Sequence, residues 1–184
     1  NPIRMRPERN GRLTPVACDF KCGFDRDDVR WMRLNMPSHL FARVGRYPEA
    51  VTANEQAVHA DDAYFRLGAE PGFYYLYHAH NLHFLAFAAM MEGQYAEAMA
   101  AARRLEKAVP EPMLDEIAWI AEGIIPTTRH VMIRFGKWED VLKEPAPPAK
   151  RPVLLAMHHY SRGIALSALG RTQEARDEIA RYRE

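Results

Sequence analysis

Gly45-Arg46-Tyr47-Pro48-Glu49-Ala50 returns as Gly93-Gln94-Tyr95-Ala96-Glu97-Ala98. It returns twice more, as Gly136-Lys137-Trp138-Glu139-Asp140-Val141 and Gly170-Arg171-Thr172-Gln173-Glu174-Ala175. In each copy a glycine ends an apolar helical segment and an acidic-apolar pair opens the next one. That is how a helix C-terminus, a tight turn and a new N-terminus look in sequence. Four helix-turn-helix units are therefore expected. The glycines stand 48, 43 and 34 residues apart, so the two longer intervals must hold insertions.

Around these units the chain resembles the tetratricopeptide repeat family, whose period of 34 residues the last interval matches. Asn54, Ala57 and Asp61 follow Ala50 in the order of a second repeat helix, and Pro110 closes the second unit after Leu105. Ser161 to Gly170 carries the small residues that the family uses for close packing. The third unit departs, because Pro145, Pro147 and Pro148 truncate its second helix after Leu142. More narrowly, Met36 to His39, His80 to Phe84 and Arg134 to Trp138 resemble segments of longer, uncharacterised bacterial tetratricopeptide proteins. Those relatives often carry a histidine where this chain has Asn35. The resemblance implies an all-α fold over residues 31–184, a right-handed superhelix of antiparallel helix pairs, and partner binding in its concave groove.

Residues 1–30 fall outside this pattern. Pro2, Pro7 and Pro15 and the lack of a sustained 3.6-residue apolar period predict an irregular, extended segment. Asp27 or Asp28 suits a helix start, and Pro37 is expected to kink or restart that helix. Between Asp62 and Tyr77, Gly68, Pro71 and Gly72 break the helix ahead of the run Phe73, Tyr74, Tyr75 and Tyr77. The run is expected to seal the joint between the first two units, with a lid over the groove as the alternative.

Bulk properties exclude several classes. In 184 residues, 48% are hydrophobic, enough for a core. Lys plus Arg number 25 against 24 Asp plus Glu, so no global field draws in nucleic acid or an anionic membrane. Apolar runs fall short of the roughly 18 to 20 residues of a membrane span. No secretory signal opens the chain, so a cytoplasmic location is expected. Neither a phosphate loop, nor a Gly-x-Ser-x-Gly elbow, nor a dinucleotide fingerprint occurs, and no catalytic residue is assigned. Cys18 and Cys22 are spaced more widely than a redox pair and read as reduced thiols.

Aligning the units on their glycines brings out a shared register. His39 and His130 lie six residues before Gly45 and Gly136, and Arg43 and Arg134 lie two before. Spacing of i, i+4 puts each histidine and arginine on one helical face, and His80 and His83 fall on the same concave side. The candidate ligand-binding set is His39, Arg43, His80, Asn81, His83, His130 and Arg134. Arginine forks and neutral imidazoles suit a carboxylate: a peptide terminus, an acidic segment of a protein partner or a small anion, with no cofactor. The alternative is zinc or another divalent transition metal on His39, His80, His83 and His130, with or without hydrolase chemistry. Histidines that only fill interhelical space remain a third account. A homo-oligomer and a part of a longer chain are both compatible with the sequence.

Overall fold

The computed structural model describes residues 5–7, 13–15, 28–66, 72 and 74–183, and side chains only from residue 35 onward. Within these residues the chain is all-helical apart from one short backbone pairing. Met5–Pro7 (β1) and Leu13–Pro15 (β2) pair antiparallel, Arg6 opposite Thr14. Ten helices follow: α1 Asp28–Arg43, α2 Tyr47–Phe65, α3 Tyr74–Glu92, α4 Tyr95–Leu105, α5 Glu111–Glu116, α6 Ala118–Ala121, α7 Thr127–Arg134, α8 Trp138–Lys143, α9 Pro152–Ala168 and α10 Thr172–Arg183. No helix among the described residues is long and apolar enough to cross a membrane.

The four glycines make four hairpins: α1 with α2, α3 with α4, α7 with α8 and α9 with α10. Gly45, Gly93, Gly136 and Gly170 have φ of 75°, 85°, 66° and 75°, a region closed to most L-residues. The residue after each glycine donates its N–H five residues back, Arg46 to Phe41, Gln94 to Ala89, Lys137 to Met132 and Arg171 to Leu166. This is the Schellman closure, which satisfies carbonyls that a helix end leaves open. Five residues after each glycine stand Ala50, Ala98, Val141 and Ala175, all buried at 5% exposure or less. A small side chain there lets the second helix come close to the first.

The insertions have distinct forms. In the first, α2 continues to Phe65, and the rings of Tyr64 and Phe65 pack against Tyr74, Tyr75 and His78 at the start of α3. The aromatic run thus fills the α2–α3 joint, as the seal reading expected, while Phe73 lies outside the described residues. In the second, the short helices α5 and α6 bury Leu114, Ile117 and Ala121 in a small core of their own. Arg151, at the start of α9, holds α5 by donating to the Leu114 carbonyl at 3.1 Å and to the Glu111 and Asp115 carboxylates. Proline ends α8 as expected. Glu144 is already extended because it precedes Pro145.

Pro37 lies inside α1, which runs through it without restarting. The Ser38 hydroxyl donates to the Asn35 carbonyl at 2.6 Å within the same turn. The main core lies where α2, α3 and α4 meet, rich in alanine around Leu82, Leu85 and Leu105, and Val131 of α7 joins it. α7 packs on both α3 and α4, which carries His130 toward the same side of the stack as α3.

Candidate functional site

A chain of amides sets the site. Asn54 of α2, fully buried, donates Nδ2–H to the Ala50 carbonyl at 2.8 Å, which turns its Oδ1 outward. That oxygen accepts from Asn35 Nδ2 at 3.0 Å, so Asn35 Oδ1 must face the other way. It faces His39 Nε2, one turn along α1, at 3.0 Å. His39 Nε2 also lies 3.2 Å from His80 Nε2 of α3. The two rings lie nearly parallel, with centroids 5.3 Å apart and planes inclined by 17°. Phe84, one turn after His80, packs on His39 at 3.9 Å between centroids and holds both rings in place.

Electrostatics favour neutral imidazoles. Burial lowers the pKa of His39, and proximity to His80 lowers it further. Burial does the same for His80. His83 is lowered by burial, then by His80 and by His130, and His130 by burial and the Arg129 guanidinium. The four therefore form an interacting series from α1 across α3 to α7. With no metal bound, one arrangement satisfies the close pair: His39 carries its proton on Nε2 and shares it between Asn35 Oδ1 and the bare Nε2 of His80.

The remaining expected residues separate. Arg43 and Arg134 are exposed, each one turn beyond its histidine, and neither has a hydrogen-bond or ion-pair partner among the described residues. Asn81 is fully buried, not on the accessible face, and donates Nδ2–H to Asp61 at 2.8 Å. Asp61, also fully buried, further receives the Tyr74 hydroxyl at 2.8 Å and faces His78 Nδ1 at 3.3 Å. Among the described residues no group of three or more His, Cys, Asp or Glu side chains is arranged to hold a metal, so the four histidines do not close on one point. Cys18 and Cys22 lie outside the described residues.

Two further polar centres escaped the reading of the sequence. Arg129 of α7 is 8% exposed and donates to the Pro145 carbonyl at 2.7 Å, while its Nε has no partner. It lies 3.4 Å from His158 Nδ1, and burial together with that guanidinium helps hold His158 at a pKa of about 4. Of the pair His158 and His159, the buried one is His158; His159 is half-buried and bonds Glu178 at 2.7 Å. The partners in these centres stand 16 to 29 residues apart in the chain, so no local spacing announces either one. Comparison with known proteins finds no matching family model, no similar curated protein and no similar solved structure.

Proposed function

We propose that this chain is a binding module that takes a carboxylate-bearing ligand, an acidic or C-terminal peptide segment of a protein partner or a small anion, along the α1–α3–α7 face. Arg43 and Arg134 are the charged forks, and His39, His80, His83 and His130 are neutral donors and acceptors between them. The proposal includes a tetratricopeptide-like right-handed superhelix over residues 31–184 and a cytoplasmic setting.

One observation carries the reading. Arg46, Arg103, Arg104, Arg151, Arg162 and Arg171 all have carboxylate partners within the chain, whereas Arg43 and Arg134 have none among the described residues, and unlike the equally unpaired Arg66, Arg176 and Arg183 they stand in matching registers of two first helices. An unpaired guanidinium keeps its five donors for a partner, and its planar fork fits a carboxylate in bidentate fashion. The lowered histidine pKa values add to this, because neutral imidazoles leave that charge to the arginines.

The test is calorimetric titration of the untagged chain with a hexa-glutamate peptide bearing a free C-terminus, beside its amidated hexa-glutamine counterpart. Binding of the acidic peptide alone is expected, weakened at least about tenfold in Arg43→Ala/Arg134→Ala, the loss of roughly one charge-assisted contact. The melting temperature of that variant should move little, as both side chains are exposed and unpaired. Equal binding of both peptides, or unchanged affinity in the double variant, refutes the reading.

A further inference from the structure

We propose that Asn35 Oδ1, His39 Nε2 and His80 Nε2 are three corners of a binding site for a divalent transition-metal ion of the zinc class. The inference shares His39 and His80 with the carboxylate reading but needs neither Arg43 nor Arg134.

The spacing of the donor atoms is the first argument. Two ligands about 2.0–2.1 Å from an ion at a tetrahedral angle lie about 3.3–3.4 Å apart, and at a right angle about 2.9 Å apart. The His39–His80 edge is 3.2 Å and the His39–Asn35 edge is 3.0 Å, both within that band. Ring positions agree. An imidazole centroid lies a little over 1 Å beyond its Nε2, so two rings aimed at one ion have centroids about 5 Å apart. The observed separation is 5.3 Å.

Preorganisation is the second argument. His39 Nε2 faces both Asn35 Oδ1 and His80 Nε2 with a single proton among the three atoms in the neutral state, an arrangement that a cation relieves by replacing that proton. Asn35 cannot turn its Nδ2 toward the histidines without abandoning Asn54, whose own amide is fixed on the Ala50 carbonyl. The relay therefore aims an oxygen and not a nitrogen at the site, the role an outer partner plays for a metal ligand. Phe84 fixes the ring faces.

The ligand set also selects the ion. Two imidazole nitrogens and one amide oxygen, without thiolate, suit zinc, nickel, cobalt or copper rather than calcium or magnesium. Three neutral ligands leave the double positive charge intact and a fourth corner open, as in metal sites that exchange a water or an anion. Arg43, one turn beyond His39, is exposed, so water and salt screen its repulsion.

The experiment uses the untagged full chain and zinc chloride alone, followed by calorimetry and by metal analysis after dialysis. One equivalent bound with micromolar or tighter affinity is expected, weakened at least about a hundredfold in His39→Gln and in His80→Gln. His59→Gln, at an exposed position on α2, should stay within about threefold of the parent and reports stray surface binding. Imidazole nitrogen resonances provide a second readout that needs no variant: zinc must move Nε2 of His39 and His80 in the parent. Absence of zinc binding by the folded parent, retention in both glutamine variants, or unmoved Nε2 resonances overturns the site.

Discussion

The α1–α3 and α9–α10 contacts both set a histidine against a neighbouring helix, but they resolve it in opposite ways. At α9–α10, His159 meets Glu178, which also receives Arg162 Nε at 2.8 Å and Arg181 at 3.3 Å. Burial pushes the Glu178 pKa up, and the bonds from Arg162 and His159 outweigh it, leaving a carboxylate whose partners all belong to the chain. At α1–α3, His39 meets a second imidazole and an amide oxygen, with no carboxylate in the contact. The first junction is complete as it stands. The second joins two imidazoles and an amide oxygen, and Arg43 and Arg134 have no carboxylate partner among the described residues. A closed network argues for a role in stability, and an open one for a role in binding.

The largest effect is expected at the α9–α10 junction. Glu178→Gln strands three donors around a site that is 3% exposed and should cost about 2–3 kcal/mol, at the low end for a broken buried pair because Arg162 and Arg181 retain water. That corresponds to a fall in Tm of about 4–12 °C in thermal unfolding followed by circular dichroism. If Glu178→Gln melts like the parent, the closed junction is not a source of stability.

Acidification comes next. His158, at about 4 in the fold against 6.5 when free, is neutral in the native state because burial first, then Arg129, Arg162 and His159, disfavour its cation. A base whose pKa is depressed by folding contributes its full stability above about pH 6.5, and the contribution drains away as the pH falls toward 4. The melting temperature should decline over that window by several degrees. In His158→Gln the decline should be shallower, and an identical slope contradicts the assignment.

Smaller still is Gly93→Ala. The turn leaves open space around an added Cβ, so the cost is that of a left-handed φ of 85° alone, about 1–2 kcal/mol by chemical denaturation. Least of all should be His80→Gln in the metal-free protein, under about 1 kcal/mol, since no buried charge loses a partner. A cost as large as that of Glu178→Gln would erase the distinction between the two junctions.

The hairpins were legible in the sequence because their cause is local. A positive φ needs glycine, a Schellman closure needs it at one place, and the alanine or valine five residues on needs no knowledge of distant partners. Part of the candidate face was legible by register, as His39 and His80 do meet. Asn81 was not, because one residue beyond His80 is a rotation of about 100°, which carries it from the face into the α2–α3 interface with Asp61. Nor was the place of Asn35 legible. Its importance comes from Asn54, 19 residues away on another helix, and no local pattern announces such a relay. The short helices α5 and α6 were foreseen only as an insertion, since what fixes them is Arg151 from α9.

We propose the α1–α3–α7 face, and not the α9–α10 junction, as the place where this chain meets its ligand. Mapping amide and imidazole resonances during titration with the hexa-glutamate peptide tests it most directly. The account predicts saturable shifts at His39, Arg43, His83, His130 and Arg134, with His159, Arg162 and Glu178 unmoved. Shifts centred on the α9–α10 residues, or none at any position, contradict it.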